Sequence, residues 1–294
     1  MNYRKLGKTG LDVTEIGYGA AQVGSRDLPE EKAEAVLKEV LDAGINFIDT
    51  AAMYGVSEER IGRYLSNRRD EYIVATKCGD YQVEESGEWR TVKDYTVEGI
   101  TRTIDESRRK LKTDVIDIVQ FHGVPGDTDD EKRAYEALLE AKQKGWTRFV
   151  GVSQDGAKGA EAAAGWDLDT QEFTYNILFQ EADQVLFPTL REREMGAIIK
   201  RPIANAVYLM SERPEGNFNG IPWDRAQKMP IKEMAGDIHP VDFALQFTLA
   251  HTDVSTAIIG TTNIDHLRAN VSVADRLDAS TVESVKTAWR ELFG

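Results

Sequence analysis

Glu15-Ile16-Gly17-Tyr18-Gly19-Ala20-Ala21-Gln22 opens a pattern that repeats along the chain: a short β-rich run, a loop, an amphipathic helical stretch. An open, doubly wound α/β sheet places three glycines after its first strand, so that the backbone can approach a pyrophosphate. This run has Gly17 and Gly19 but lacks the third glycine. The first β-rich run spans 15–20, and seven more follow at 46–51, 72–77, 115–121, 148–153, 172–178, 197–203 and 256–260. Helical stretches fall at 30–43, 58–66, 96–111, 130–144, 157–164, 183–194, 240–251 and 264–275, with an extra one at 280–292. Within 96–111, Val97, Ile100, Ile104 and Leu111 recur at spacings of three, four and seven, which is one face of a helix. Strict alternation implies parallel strands joined by right-handed crossovers. Eight such units in 294 residues is the arithmetic of a closed (β/α)8 TIM barrel in the α/β class. The expectation is a single barrel domain over 1–294, with an N-terminal β-hairpin around Gly7-Lys8-Thr9-Gly10 and an extra C-terminal helix.

Two segments are too long for plain connections, 80–94 after the third strand and 205–237 after the seventh. Both leave the C-terminal ends of strands, where a barrel carries its active site, so both are expected to be rim loops.

Composition narrows the class of function. Lys+Arg 36 against Asp+Glu 50 leaves a net charge of −14, which disfavours a nucleic-acid or anionic-membrane partner. One cysteine, Cys78, excludes an intramolecular disulfide framework and a Cys-rich zinc site. The four histidines show no metal-ligand spacing, so no metal is expected. No apolar segment near the start reads as a signal peptide and none elsewhere reads as a membrane span, so a cytoplasmic location is expected. Oligomeric state has no signature in the sequence.

Four strand ends carry residues that a buried core would not choose: Asp49 with Tyr54 after the second, Lys77 ending the third, His122 after the fourth, and Ser153-Gln154 at the fifth. Taken singly, each has an ordinary structural reading, as a turn cap or a snorkelling or hydrogen-bonded side chain. Together they set an acid, a phenol, an ammonium and an imidazole around one rim. Lys77 and Asp49 should pair, because isolated charge in a partly dry rim is costly. A nearby ammonium favours phenolate, so Tyr54 is expected to titrate below its usual value of about 10. Such a phenol can donate a proton to an oxygen gaining charge, and His122 can orient that oxygen. Cys78, next to Lys77 on a strand, should face the helices and pack.

The eighth strand runs through Gly260-Thr261-Thr262-Asn263 straight into a helix, a combination able to bind an anion. Lys200 and Arg201 end the seventh strand nearby, and Ser153 with Gln154 can bond a carboxamide. The structural alternative for Gly260–Asn263 is a plain helix cap. Trp89 and Trp223 fall in the two long segments and are expected to wall an apolar substrate pocket.

At this point the sequence resembles the aldo-keto reductase family over nearly its whole length. The likeness runs through Tyr3–Gly10, Gly17-Tyr18-Gly19, Phe47-Ile48-Asp49-Thr50-Ala51-Ala52-Met53-Tyr54-Gly55, Thr76-Lys77, Gln120-Phe121-His122, Gly151-Val152-Ser153, Tyr175-Asn176 and Gly260-Thr261-Thr262-Asn263. The resemblance implies a barrel that binds NAD(P)H without a Rossmann domain and transfers hydride from nicotinamide to an aldehyde or ketone. It implies Tyr54 as general acid, Lys77 lowering its pKa, Asp49 holding Lys77, and His122 orienting the carbonyl. Cofactor contacts would fall at Gly19, Ala20, Asp49, Ser153, Gln154, Glu172, Lys200, Arg201, Gly260, Thr261, Asn263, His266 and Asn270. Three positions depart from the family pattern: Gln154 replaces its usual Asn, Glu172 its usual Gln, and His266 the Arg that many NADPH-specific members use for the 2′-phosphate. Arg268 is close in sequence to His266 but about 200° away around a helix. The resemblance favours NADP(H), with NAD(H) or dual use left open.

The leading expectation is an NAD(P)H-dependent oxidoreductase taking a small carbonyl or alcohol substrate. The alternative is a cofactor-binding redox-sensing subunit with little turnover. A lyase or aldolase using Lys77 as a Schiff base is a third reading.

Overall fold

The computed structural model describes residues 1–273 and 275–294. Eight parallel strands close into a barrel: β1 (Ile16–Gly19), β2 (Phe47–Asp49), β3 (Ile73–Cys78), β4 (Ile116–Phe121), β5 (Thr147–Ser153), β6 (Thr170–Thr174), β7 (Gly196–Lys200) and β8 (Val254–Ile259). They neighbour one another in chain order, and β8 returns to β1 through the register Ala257↔Ile16, Ile258↔Gly17 and Ile259↔Tyr18. Helices cover the outside. In Val97–Leu111 the periodic residues Ile100, Ile104 and Leu111 are buried, and the Thr96 side chain caps the first turn by accepting from the Gly99 N–H.

Strand alternation sorts the lumen into layers. Phe47, Ala75, Ile118, Ile198 and Ile258 form an apolar cluster, closed from below by Leu6, Leu11 and Val13. Those last three come from the N-terminal segment, where Tyr3–Lys5 pairs antiparallel with Asp12–Thr14 around a 3₁₀ turn at Gly7–Thr9. Two residues further along the same strands, where the side chain again faces inward, stand Asp49, Lys77, Gln120 and Lys200. The lumen is therefore apolar at its N-terminal end and charged at its C-terminal end. Arg4 secures the floor from outside, donating to the carbonyls of Leu249 and His251 at the end of helix Pro240–Ala250 and of Val254 at the start of β8.

Several boundaries differ from the sequence reading for local reasons. The expected loop at 80–94 is a β-hairpin, Asp80–Glu85 with Glu88–Lys93. Ser86 (φ 56°) and Gly87 (φ 84°) make its two-residue turn, whose left-handed backbone suits the twist of the flanking strands. The segment 205–237 contains the end of a 3₁₀ stretch (Ala204–Leu209) and helices Asn217–Ala226 and Ile231–Ala235. β6 spans 170–174 rather than 172–178. Beyond it the Asn176 side chain accepts from the Leu178 and Phe179 N–H groups and turns the chain. β7 stops at Lys200 because Arg201 takes φ 54° and Pro202 follows. The helix expected over 183–194 is broken into Ala182–Val185 and Phe187–Glu192, where Pro188 removes a donor. The stretch 130–144 likewise divides, into Asp129–Lys132 and Ala134–Gln143. The helix expected over 264–275 is observed as Ile264–Val271; Ala274, inside the expected range, lies outside the described residues. The final helix is Ala279–Phe293. Among the described residues no helix is long and apolar enough to cross a membrane.

Candidate active site

Asp49 ends β2 and Lys77 lies near the end of β3, an adjacent strand, so their side chains enter the lumen at one level. The Lys77 ammonium donates to both Asp49 oxygens at 2.7 and 2.6 Å and to the Thr50 carbonyl at 3.1 Å. Glu172, entering from β6, places Oε2 3.1 Å from the same nitrogen and accepts from Gln120 Nε2 at 3.1 Å. All three charged groups are buried, Lys77 completely. Burial works against the Lys77 charge, but Asp49 first and Glu172 second outweigh it and hold the pKa well above the ordinary lysine value. The two carboxyls respond in opposite directions. Desolvation and the Glu172 charge raise Asp49 well above the carboxylate range. Glu172 is also penalised by burial, yet Lys77 and then Lys200 bring it down to about 2.

Tyr54 is carried on the loop between β2 and helix Ser57–Tyr64. Its ring centroid lies 5.1 Å from the Lys77 ammonium. The loop is pinned by close backbone contact with the turn at Gln22–Gly24. A Cβ on Gly24 would fall 1.8 Å from the Tyr54 carbonyl oxygen. One on Gly55 (φ +57°) would fall 2.1 Å from the Gly24 carbonyl oxygen. Only glycine fits at either position. Ser57 strengthens the join, accepting from Thr50 Oγ1 and donating to the Ala20 carbonyl, both at 2.8 Å.

The expectation that Lys77 would bring Tyr54 below 10 is corrected. Desolvation outweighs the ammonium, and Asp49 and Glu172 add to it, so the phenol is pushed up to about 12. His122, just past β4, meets the Tyr54 ring edge-on at 5.6 Å between centroids. Burial first, and the Lys77 charge second, depress its imidazole to about 3, so it is neutral near pH 7. Its Nδ1 is buried without a hydrogen-bond partner. Cys78 faces away, buried, with its thiol pushed up by desolvation and 3.5 Å from the Gln120 carbonyl.

The remaining rim residues fall on the side of the barrel formed by β5 to β8 and β1. Lys200 donates to Ser153 Oγ at 3.3 Å and lies 3.7 Å from Asp155. The Gln154 amide donates to the Asp155 carbonyl at 3.1 Å. Arg201 stacks its guanidinium 4.2 Å from the Phe218 ring centre and lines a cavity of about 280 Å³ with Asn176, Asn205 and Thr174. Gly19 and Gly260 meet where β1 and β8 end; a Cβ on Gly260 would fall 2.9 Å from the Gly19 carbonyl oxygen. The Ala20 N–H donates to the Asp49 carbonyl at 2.8 Å. Thr261 gives its carbonyl to the Tyr18 hydroxyl at 2.8 Å. Asn263 caps helix Ile264–Val271, accepting from the Asp265 and His266 N–H groups. His266 is exposed on the first turn of that helix, and Asn270 is buried on its last. Arg268 points elsewhere and pairs with Glu39 at 2.7 and 3.0 Å.

The two tryptophans separate. Trp89 lines an open depression of about 540 Å³ together with Tyr54, Met53, Gln82, Asp27 and Arg26. Arg26 lies 3.4 Å over the Trp89 ring and donates to Gln82 Oε1 at 2.7 Å, so the hairpin and the segment after β1 are joined across this mouth. Trp223 instead packs from helix Asn217–Ala226 against the main hydrophobic core and donates to the Met210 carbonyl at 3.4 Å. It is not among the residues lining that depression. The sequence reading missed Arg26, Gln82 and Gln120. Gln120 was detectable, since it occupies the inward layer reached by Lys77. Arg26 carried no signal.

A model of the aldo/keto reductase family matches residues 15–290. The chain belongs to that family. L-galactose dehydrogenase of Arabidopsis thaliana is 29% identical, the match covering 94% of this chain and 89% of that one. D-threo-aldose 1-dehydrogenase of a Pseudomonas species is also 29% identical, covering 96% of this chain and 94% of that one. Among solved structures, an aldo-keto reductase of Bacillus halodurans in its holo form superposes with a TM-score of 0.82 at 30% identity, covering 98% of this chain and 96% of that one. This aldo-keto reductase is an oxidoreductase of carbonyl and alcohol groups.

Proposed function

We propose that this aldo-keto reductase reduces an aldehyde or ketone with NAD(P)H, or runs the reverse oxidation, with Tyr54 exchanging the proton. The observation that carries the reading is the convergence of Asp49, Tyr54, Lys77 and His122 at the charged end of the lumen, beside an open depression. The donor set fits a dinucleotide. A hydroxyl and an amide at Ser153 and Gln154 suit a carboxamide, with the backbone of Glu172 joined to Gln154 beside them. Lys200 and Arg201 supply cations for phosphates. Gly19, Ala20, Gly260, Thr261, Asn263, His266 and Asn270 are the residues assigned to the adenosine end in this reading. When bound, the reduced nicotinamide supplies the hydride that the carbonyl carbon accepts.

The protein's own residues handle the proton and the charge. Tyr54, raised to about 12, is a phenol across the working pH range and can donate to the oxygen that becomes the alcohol. Lys77 then stabilises the phenolate, and Asp49 fixes the ammonium in place. Neutral His122 keeps a nitrogen available to position the same oxygen. Tyr54→Phe is expected to cut turnover by about 100-fold or more while cofactor titration is unchanged. Near-normal turnover in that variant overturns the assignment.

NADP(H) is the favoured cofactor, through Lys200, Arg201 and His266; the Glu39 pairing of Arg268 argues against its taking a 2′-phosphate. Titration with NADPH and then NADH, followed by cofactor fluorescence, decides this. Tight NADPH with weak NADH supports the choice, and equal binding replaces it with dual use.

A further inference from the structure

Two carboxyls and one ammonium are more acid than a dry lumen needs. Asp49 alone already occupies two hydrogen bonds of Lys77, at 2.7 and 2.6 Å, and neutralises its charge. Glu172 nevertheless comes in from β6 to 3.1 Å of the same nitrogen, buried, so that two buried carboxyls converge on one ammonium. Like charges this close, away from water, do not both ionise at neutral pH. The groups acting on Glu172 from the surrounding elements are Asp49 (β2), Lys77 (β3), the Gln120 amide (β4) and Lys200 (β7); Tyr54 and His122 in turn feel its charge.

We propose that Glu172 and Asp49 hold a single proton between them above Lys77, and that Glu172, acting through this pair, keeps Tyr54 in its proton-donating form into alkaline solution. The proposal rests on the reading of Tyr54 as proton donor. Its charge balance is simple. While the pair keeps its proton, one carboxylate and one ammonium cancel. Once the proton leaves, the cluster carries a net charge of −1, and forming phenolate beside it becomes harder. With glutamine at 172, Asp49 and Lys77 cancel at every pH and the phenol ionises earlier. Glu172 is thus a positioning residue that acts on Tyr54 by charge and does not touch the reacting atoms.

Glu172→Gln keeps the side-chain shape and an acceptor for Lys77 and Gln120. The alkaline limb of kcat/KM for carbonyl reduction is expected to move down by about one pH unit. Alcohol oxidation, which uses the phenolate, should gain only in the alkaline range where the wild-type pair has lost its proton, and stay unchanged at neutral pH. Tyrosinate absorbance, read as a difference against Tyr54→Phe, should shift with the limb. A second readout does not depend on activity: wild type at neutral pH should show an infrared band of a protonated carboxyl that Glu172→Gln and Asp49→Asn both lack. Glu58, also buried and raised chiefly by desolvation, supplies a background band, assigned with Glu58→Gln. An alkaline limb that stays in place while Tyr54→Phe is inactive overturns the pair and leaves the proposed reaction standing. Turnover retained in Tyr54→Phe removes the proposed reaction and the pair's purpose with it. If Glu172→Gln fails to fold, a wild-type spectrum with no carboxyl band beyond that of Glu58 overturns the pair on its own.

Discussion

Tyr54 sits between an ammonium that favours its anion and a dry wall that opposes it, and the wall prevails. The sequence shows the ammonium, because Lys77 ends a strand one neighbour from Asp49, but it does not show how deep the phenol lies. Glu172 was legible as a residue and not as a partner of Lys77. Its sequence position suggested a contact to a carboxamide, whereas the register of β6 against β5 turns it into the lumen. Lys77 is the keystone of these charges. Lys77→Met should cost about 3–5 kcal/mol in urea unfolding at neutral pH, because the buried carboxylate of the pair loses its counter-ion. The deficit should shrink in acid, where the remaining carboxylate of the pair protonates and no longer needs it. A deficit that is constant with pH would mean that packing, not charge, is what Lys77 supplies.

The loops that hold Tyr54 obey steric rules more than electrostatic ones. Gly24 and Gly55 allow two backbones to touch, and Arg60, buried beneath, donates to the carbonyls of Val23, Ser25 and Leu28 and fixes the segment that carries Arg26. Gly24→Ala is expected to displace Tyr54 and lower kcat at least about tenfold, with cofactor titration close to wild type. An unchanged kcat would show that the contact is not needed. Across the mouth, Arg26 on Trp89 should act on substrate and not on chemistry. Arg26→Ala is expected to raise KM, leave kcat within about twofold, and alter the tryptophan emission. A fall in kcat alone would place Arg26 in the reacting layer. The hairpin that carries Trp89 was readable in hindsight. Ser86-Gly87 is a turn dipeptide between two alternating runs, but its strands lie outside the barrel and lack the apolar core signature that marks β1 to β8. The broken helices at 130–144 and 183–194 were hidden for a different reason, since their apolar spacing continues across the interruptions.

At the scale of the molecule, the alternation of strands and helices was enough for the barrel, because eight buried parallel strands need little beyond short apolar runs. Only the closed register shows that the lumen changes from apolar to polar or charged within two residues along β2, β3, β4 and β7. That gradient has a cost in acid. His122, whose imidazole burial depresses to about 3, binds a proton more readily unfolded than folded, so its contribution is complete above the ordinary histidine value and is lost as pH falls below it. Between pH 7 and 4, unfolding free energy should therefore decline less steeply in His122→Asn than in wild type. Equal slopes would mean that His122 titrates normally. The reacting groups Asp49, Tyr54, Lys77 and His122 all precede residue 123, while Glu172 arrives with β6. Barrel closure is therefore what brings the second carboxylate, from β6, to the Asp49–Lys77 pair of β2 and β3. If the two acids share a proton, sealing the barrel is a protonation reaction, and a weakly buffered solution in which the protein refolds should drift toward alkaline.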